Sequence, residues 1–288
     1  MTTLIVGCGY LGRRVAARLL ARGEAVHGTT RDPAKAERLS SIGIGPVILD
    51  VLDPVTARVP DCDRLVYCVG YDRAAGLPIR EVYVEGLRRT LDRLGGSFDR
   101  FVYTSSTGVY GQDDGSWVTE ESPAEPRHES GRACLDAERL AVGRGATVVR
   151  LAGLYGPGRI IRKAAILAGE PIAGDPAKLV NLVQIEDAVA ATIAALVVGR
   201  RGRVYNAADD RPIARRDLYT LTAEALGVSP PHFLGPGTGE SAREEANRRV
   251  SNRRMKEELG VVLDHPDAAS GVAASIAVER QSTARIDG

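Results

Sequence analysis

A glycine turn near the start of the chain constrains the fold more than any other feature. The stretch VGCGYLGRRV (6–15) holds Gly7, Gly9 and Gly12 in the order GxGxxG, with an apolar strand pattern before it and a helical pattern after it. A turn this tight needs glycine, and the amino terminus of the following helix offers free N–H groups and the positive end of its dipole to a phosphate. The turn in this setting predicts a dinucleotide-binding site.

Short apolar runs alternate with helical patterns along the first half of the chain. The predicted strands are TTLIVG (2–7), EAVHGTT (24–30), PVILDV (46–51), RLVYCVG (64–70), RFVYTSS (100–106) and ATVVRLAGLYG (146–156). The predicted helices in this half are RRVAARLLARG (13–23), EVYVEGLRRTLDRL (81–94) and ESGRACLDAERLAVG (129–143). Most of these strands are apolar nearly throughout, as expected for strands that helices cover on both faces. The alternation predicts an α/β fold with a doubly wound parallel sheet, a Rossmann fold.

The pattern becomes less regular after GPGR (156–159). Here the sequence predicts helices at 184–199, 215–227 and 252–260, a strand at 202–208, a loop at 229–240 rich in Pro and Gly, and a tail with little pattern. We expect a dinucleotide-binding domain over 1–155, to which 184–208 returns. Residues 156–288 would form a smaller substrate-binding lobe.

Composition narrows the classes of partner. The 38 basic and 37 acidic residues leave a formal net charge of +1, so the charge indicates neither a nucleic acid nor a membrane as partner. The four cysteines form no CxxC pair and have no histidine cluster near them, which argues against a zinc site and favours a reducing compartment. The apolar runs at the start and at 189–198 are too short for a signal peptide or a membrane span. We therefore expect a cytoplasmic protein with a small-molecule substrate.

The end of the second predicted strand bears on the choice of dinucleotide. An NAD-preferring site usually has an acidic residue about 20 residues after the glycine turn, where it binds the ribose hydroxyls. This chain has Thr29, Thr30 and Arg31 there, and hydroxyls with a guanidinium suit a 2′-phosphate. The sequence thus favours NADP over NAD, unless Arg31 is only a solvated loop residue. Asp50, at the end of the third predicted strand, either contacts the adenine amino group or caps the next segment.

The order of several further stretches resembles the extended short-chain dehydrogenase/reductase superfamily of the NAD-dependent epimerase/dehydratase kind, over roughly residues 3–260. The stretches are GCGYLG, PVILDV, VYCVG, VYVEG, VYTSSTGVYG, VRLAGLYGPG, NLVQIEDAVAA, RVYNAADDRPI and MKEELG. The cofactor contacts expected with this resemblance are Gly7, Gly9, Tyr10, Leu11, Gly12, Thr30, Arg31, Asp50, Val51, Cys68, Val69, Gly70 and Thr104. The family's two-helix dimer interface would fall on the helices at 81–94 and 129–143, so the resemblance is compatible with a homodimer.

The hydroxyl-rich strand end VYTSSTGVYG (102–111) resembles half of the family's catalytic site. The resemblance gives Ser106 the role of orienting the substrate oxygen, although such hydroxyls can also simply satisfy the backbone at a strand end. The other half, Tyr-x-x-x-Lys, supplies a phenol whose pKa the lysine lowers. Ser130 and Cys134 occupy those two positions here, and no tyrosine in the chain has a lysine four residues later.

Other candidates remain for the group that moves the proton. They are Tyr110, Tyr155, Ser130 and a water; His128 is a weaker one. Tyr83 stands where the family's N-V-x-G segment carries asparagine. Arg159, just after the GPG turn, is a candidate anchor for an anionic substrate. Two functions stay open: an NADP-linked reductase or epimerase acting on a hydroxyl or carbonyl, and an inactive dinucleotide-binding sensor or scaffold.

Overall fold

A seven-stranded parallel sheet lies at the centre of the computed structural model, which describes residues 1–54, 58–95, 98–235 and 246–284. Its strands are β1 (Thr2–Val6), β2 (Ala25–Thr30), β3 (Gly45–Ile48), β4 (Arg64–Tyr67), β5 (Arg100–Ser106), β7 (Thr147–Leu151) and β11 (Val204–Ala207). Their order across the sheet is β11-β7-β5-β4-β1-β2-β3, and every neighbouring pair runs parallel. The predicted doubly wound α/β fold is confirmed.

Helices cover both faces of this sheet. They are α1 (Gly12–Leu20), α2 (Pro33–Ser40), α3 (Gly86–Leu94), α4 (Glu129–Gly143), α6 (Ile185–Val198) and α8 (Arg253–Leu259). Three further helices, α5 (Lys163–Leu167), α7 (Arg215–Leu226) and α9 (Ala268–Ala284), pack together beside it. Successive residues of β1 point to opposite faces: Ile5 joins a core with α1 and α6, whereas Leu4 and Val6 join a core with α3 and α4. This explains why the strands read as apolar throughout. Within the described residues, no helix is long and apolar enough to cross a membrane.

The predicted strand at 146–156 is wrong in one respect, because the chain changes sheet in its middle. Ala152 still donates its N–H to Ala207 of β11 at 2.9 Å, but the next N–H, of Gly153, goes to Asn181 at 2.9 Å. A Cβ at Gly153 would lie 2.9 Å from the same Asn181 oxygen, so the close approach requires glycine. Residues Gly153–Tyr155 therefore form a separate strand, β8.

Three two-stranded sheets complete the β structure. β8 pairs with β10 (Leu182–Gln184), β9 (Leu179–Val180) pairs with β12 (Ile213–Ala214), and β6 (Trp117–Val118) pairs with β13 (Arg249–Val250). A third apolar core lies beside β8 and β10, formed largely by α7 and α9. The division into a domain and a substrate-binding lobe stays a prediction. Of the predicted loop at 229–240, residues 236–240 lie outside the described residues.

The tail that the sequence left without pattern contains the long helix α9, so that expectation is wrong. Its apolar residues are small and few, which hides the helical period. Ala268, Val272 and Ile276 nevertheless recur every four residues and are buried in the third core. Helix α2, also absent from the sequence prediction, begins at an Asp32 cap whose carboxylate accepts the N–H of Ala34 at 2.9 Å.

A buried ion pair ties β7 to α4. Arg150 and Glu138 are about 5% exposed, and their two hydrogen bonds measure 3.0 Å (Nε to Oε2) and 2.5 Å (Nη2 to Oε1). Arg150 Nη1 also donates to the hydroxyl of Tyr110 at 2.8 Å, and that hydroxyl donates to Asn206 Oδ1 at 2.8 Å. The network joins four elements of the fold, and it satisfies groups that would be costly to bury alone.

Removing one partner of this pair should destabilise the protein strongly. We expect Glu138→Ala to lower the free energy of unfolding by about 3–5 kcal/mol, because it leaves a buried guanidinium without its counter-charge. Glu129→Ala, at the exposed start of the same helix, is the matched control and should cost about 1 kcal/mol or less. Urea unfolding of both variants measures the difference; equal losses would show that the buried pair contributes no more than a surface charge.

Candidate functional site

A cavity of about 460 Å³ opens at the carboxyl ends of the parallel strands. Such an edge is where open α/β sheets bind ligands. The residues predicted from the sequence that line it are Gly7, Gly9, Tyr10, Leu11, Thr30, Arg31, Asp50, Val51, Cys68, Val69, Gly70, Thr104 and Ser106. Three other predicted residues, Gly12, Tyr110 and Ser130, are not among its lining residues. The fold thus brings most of the predicted positions together in one cavity.

The glycine turn has the shape that its spacing predicts. Gly7 has φ of +89°, and a Cβ there would lie 2.7 Å from the backbone N of Val69. A Cβ at Gly12 would lie 2.6 Å from the carbonyl oxygen of Gly7. Gly9 differs, because its Cβ would meet only one atom, the Gly7 oxygen at 4.0 Å, and would otherwise point into open space. Two glycines therefore pack the turn against the sheet, and the third leaves room for a ligand.

The backbone of this turn fits a phosphate. The N–H of Gly7 donates to Thr29 Oγ1 at 3.0 Å and that of Cys8 to the Thr29 carbonyl at 3.2 Å, which fixes the turn against β2. In the described part of the chain, the N–H groups of Tyr10 and Leu11 make no hydrogen bond. They lie at the amino terminus of α1, where the helix dipole favours an anion. A dinucleotide's pyrophosphate is the group that this arrangement would hold.

Cations lie at the end of the cavity formed by β2 and β3. Arg31 and Lys35 both line it, together with the hydroxyl-bearing Thr30. The sequence analysis did not identify Lys35 as a site residue, because it did not predict α2. A predicted helix starting at Pro33 would have placed Lys35 one turn from Arg31. Asp50 lines the cavity and also accepts the N–H of Leu52 at 2.9 Å, so it does cap the following turn.

The two cysteines of this region are not nucleophiles. Burial raises the pKa of Cys8 to about 11, against a smaller opposite effect of Arg13. Burial raises the pKa of Cys68 further still, and its thiol donates to the Gly7 carbonyl at 3.2 Å. Both are thiols at neutral pH and act as small packing residues beside the glycine turn.

The opposite end of the cavity holds uncharged polar groups. Ser106 lines it, and its Oγ accepts the N–H of Gly108 at 3.0 Å. Thr104 lines it as well and donates to the Tyr67 carbonyl at 3.3 Å. Cys134, at the family's lysine position, and Tyr83, at its asparagine position, line the cavity as well. The strand-end hydroxyls therefore face a cavity as well as finishing a strand.

Three predicted proton-transfer candidates lie elsewhere. Tyr110 is 2% exposed, and Asn206 and Arg150 occupy its hydroxyl as described above, so it is a packing residue. Ser130 stands in the first turn of α4, where its Oγ lies 2.9 Å from Nδ1 of His128, the ring that caps the helix. Tyr155 is 1% exposed within the third core. None of the three lines the cavity.

The turn at 156–159 closes one side of the cavity and is held from two directions. The Tyr10 hydroxyl donates to the Pro157 carbonyl at 3.0 Å, which links the turn to the glycine turn. The N–H of Gly158 donates to Glu279 of α9 at 2.6 Å, and Glu279 also pairs with Lys163. Arg159 then lines the cavity with its guanidinium 5.8 Å from the centre of the Tyr10 ring.

Comparison with known proteins places this chain in a family. The model of the NAD dependent epimerase/dehydratase family matches residues 3–208. The chain belongs to this family. It is also 34% identical to Protein YeeZ of Escherichia coli (strain K12) over 277 residues, which are 91% of this chain and 96% of that protein. The resemblance that the sequence motifs indicated is confirmed.

Solved structures of family-like proteins share the whole fold. A functionally unknown conserved protein from Silicibacter pomeroyi is 28% identical, with a TM-score of 0.79 over 96% of this chain and 98% of that one. The UDP-glucuronic acid 4-epimerase of Bacillus cereus, solved with UDP-glucuronic acid and NAD, has a TM-score of 0.78 at 19% identity, covering 98% of this chain and 100% of that one. The second likeness is one of fold.

The glycine turn gives a direct test of the site. We expect Gly9→Val to abolish dinucleotide binding while the free energy of unfolding changes by about 1 kcal/mol or less, because the new side chain enters open space. Gly12→Val is the contrasting variant: its side chain meets backbone, and overpacking should cost about 1–3 kcal/mol or more. Fluorescence titration with NADPH and urea unfolding measure the two effects. A Gly9→Val protein that still binds would place the ligand elsewhere.

The link between α9 and the turn at 156–159 is testable by hydrogen exchange. We expect Glu279→Ala to raise the exchange rate of the Gly158 amide by about tenfold, since a hydrogen bond to a carboxylate is lost. Glu279→Gln keeps an acceptor at that position and should preserve most of the protection. Unchanged exchange at Gly158 in the alanine variant would show that Tyr10 alone holds the turn.

Proposed function

We propose that the protein is an NADP-linked oxidoreductase or epimerase-like enzyme acting on a hydroxyl or carbonyl group of a small molecule. One observation carries this proposal: a single cavity joins the glycine turn, a pair of cations and the Ser106 hydroxyl. A bound dinucleotide supplies or accepts a hydride. Residues of this chain hold its phosphates at the glycine turn and position the substrate oxygen at Ser106.

The preference for NADP rests on charge. A 2′-phosphate carries negative charge that NAD lacks, and Arg31 and Lys35 supply two cations at the end of the cavity where the adenosine ribose of a Rossmann-bound dinucleotide lies. The acidic residue expected of an NAD site is absent from the end of β2. The nearest carboxylate in the sequence, Asp32, is engaged as the cap of α2 and is not a lining residue.

The role of Ser106 rests on its position and its bonding. Its Oγ accepts the N–H of Gly108, so its own hydrogen is available to donate to a substrate oxygen. Thr104 and Tyr83 line the same cavity. The hydroxyls of Ser106, Thr104 and Tyr83 are polar but uncharged, and Cys134 supplies no cation. We therefore expect the part of the substrate that contacts Ser106 to be a neutral group, a carbonyl or an alcohol.

The alternative is a dinucleotide-binding sensor or scaffold without catalysis. The observation that favours it is the loss of the tyrosine and lysine pair, with Ser130 outside the cavity and the uncharged Cys134 inside it. An enzyme should oxidise NADPH with some member of a panel of carbonyl compounds and lose that rate in Ser106→Ala. A sensor should bind the cofactor and leave every panel member unchanged.

The assembly stays a prediction as well. The solvent sides of α3 and α4, where the family's dimer interface would lie, carry the exposed residues Arg88, Arg89, Asp92, Arg93, Arg132 and Arg139. A homodimer through these helices would have to pair or desolvate those charges.

The cofactor proposal predicts a specific change in affinity. We expect NADPH to bind more tightly than NADH, and Arg31→Ala to weaken NADPH binding by about tenfold, the effect of losing one charge-assisted contact. NADH affinity should stay nearly unchanged, because NADH has no 2′-phosphate. Lys35→Ala should act in the same direction, and quenching of protein fluorescence measures the affinities of the wild type and both variants for NADPH and NADH.

Arg38→Ala is the matched control for this experiment. Arg38 is an exposed arginine on α2, the helix that also carries Lys35. Its Nε donates to the Ala34 carbonyl, and the residue does not line the cavity. Its loss removes one positive charge from α2 without touching the site. A similar loss of NADPH affinity in Arg38→Ala and Arg31→Ala, or equal affinities of the wild type for NADPH and NADH, would contradict the NADP assignment.

A further inference from the structure

One buried arginine lacks a counter-charge. Arg248 is only 8% exposed, and in the part of the chain that the structure describes no carboxylate pairs with it. Two other buried arginines differ, because Arg150 pairs with Glu138 and Arg64 pairs with Glu24. A buried charge without a partner is costly, which makes it a mark of a functional rather than a structural group. Arg248 thus lacks the kind of anion that balances the other two.

The neighbours of Arg248 leave its charge in place. Burial lowers the pKa of its guanidinium to about 10, with a smaller opposite effect of Tyr110, so it stays protonated at neutral pH. Tyr110 is a neutral phenol whose hydroxyl is occupied by Arg150 and Asn206, as described above. Glu120, which affects the pKa of Tyr110, accepts the N–H of Asn206 at 2.7 Å. None of these groups forms an ion pair with Arg248.

The position of the Arg248 guanidinium is fixed at both ends of the residue. Asn181 Nδ2 donates to the Arg248 carbonyl at 2.9 Å, and Asn181 Oδ1 accepts the N–H of Val250 at 2.7 Å. At the far end of the side chain, Nη2 donates to the Thr107 carbonyl at 2.8 Å. Its Nε, by contrast, is buried, and none of the described residues accepts its hydrogen. One donor therefore orients the guanidinium while another stays open.

Thr107 connects this arginine to the Ser106 end of the cavity. Thr107 follows Ser106 directly in the chain, and Ser106 Oγ accepts the N–H of Gly108, so the three residues form one turn. Ser106 lines the cavity, whereas Thr107 and Arg248 do not. Bond lengths and the Thr107 hydrogen bond limit the distance from Arg248 Nη2 to Ser106 Oγ to about 11 Å at most. A small molecule is long enough to reach both side chains.

We propose that Arg248 binds an anionic oxygen group, a carboxylate or a phosphate, of the substrate whose carbonyl or hydroxyl Ser106 orients. The proposal rests on the proposed NADP-linked function, and it adds a chemical class to the substrate of that function. Guanidinium groups match the geometry of carboxylates and phosphates, and hydrogen bonds to such anions are charge-assisted. The bound anion supplies the counter-charge that the described chain leaves out, while Ser106 contacts the neutral group of the same molecule.

The test measures binding of two small anions, inorganic phosphate and acetate, to the protein saturated with NADP⁺. Saturation is needed because the glycine turn, Arg31 and Lys35 would otherwise compete for phosphate. The midpoint of thermal unfolding is followed against anion concentration, with chloride keeping the ionic strength constant. A ligand of the folded state raises this midpoint by mass action. We expect phosphate or acetate to raise it above its value in chloride, and the anion that binds more tightly distinguishes a phosphate ester from a carboxylic acid.

Three variants locate the effect. Arg248→Met keeps a long side chain without charge and should weaken the fitted dissociation constant by about tenfold or more, since a charge-assisted contact is lost. Arg248→Lys keeps the charge and should retain part of the binding. Arg249→Met is the matched control, because successive side chains of a strand point to opposite faces. Arg249 is half-buried and donates to the Gly115 carbonyl, and its variant should bind as the wild type does.

The outcomes separate binding from a structural role. If Arg248 only stabilises the turn at Thr107, Arg248→Met lowers the midpoint in chloride but responds to phosphate and acetate like the wild type, and the proposal is overturned. It is also overturned if neither anion acts beyond chloride on the wild type, or if Arg249→Met loses the effect equally. NADPH fluorescence measures cofactor binding separately. Cofactor binding without the anion effect removes only the role of Arg248, whereas failure to bind NADPH removes the proposed NADP-linked function and this role with it.

Discussion

The contact between the glycine turn and the end of β4 is the constraint on which the rest of the site depends. Gly7 fits against the backbone of Cys68 and Val69 so closely that a single added carbon would overlap it. Gly12 fits against Gly7 in the same way, and this sets the distance between β1 and the start of α1. The helix amino terminus can face the cavity only because both approaches are this close. The glycine turn and the Ser106 end of the cavity are thereby fixed relative to each other.

Charge is distributed unevenly along the cavity, and the distribution follows from the fold. Two cations, Arg31 and Lys35, come from the segment after β2 and from α2, which are exposed and remain well solvated. Ser106 of β5 and Cys134 of α4 also line the cavity, and the second of these stands where the family has its lysine. Cys134 is half-buried and uncharged, so no cation lies at this position. It also removes the fixed charge that would activate a phenol.

Much of the fold could be predicted because apolar strands and capped helices carry local signals. Helix α4 begins and ends at the predicted residues, and the strand Arg100–Ser106 does too. The failures have a common cause: the decisive interactions were not local. The change of sheet at Gly153 depends on Asn181, and α9 is held by contacts with α7 in the third core. In the site, the spacing of the glycines predicted the glycine turn. Lys35 was not predicted to line the cavity, because it lies on α2, a helix that the sequence did not predict.

The exchange of Tyr-x-x-x-Lys for Ser130 and Cys134 removes the family's catalytic pair from α4. Ser130 stands in the first turn of that helix, with its Oγ 2.9 Å from Nδ1 of His128, and it does not line the cavity. Gly7 and Gly12 pack against residues of β1 and of the segment after β4, none of which belongs to α4. A dinucleotide site built on the glycine turn would therefore survive the loss of the pair, whereas proton transfer beside Ser106 would need another group. This separation of cofactor binding from proton transfer suits an enzyme and a redox sensor equally, so the substrate side of the cavity is what distinguishes the two.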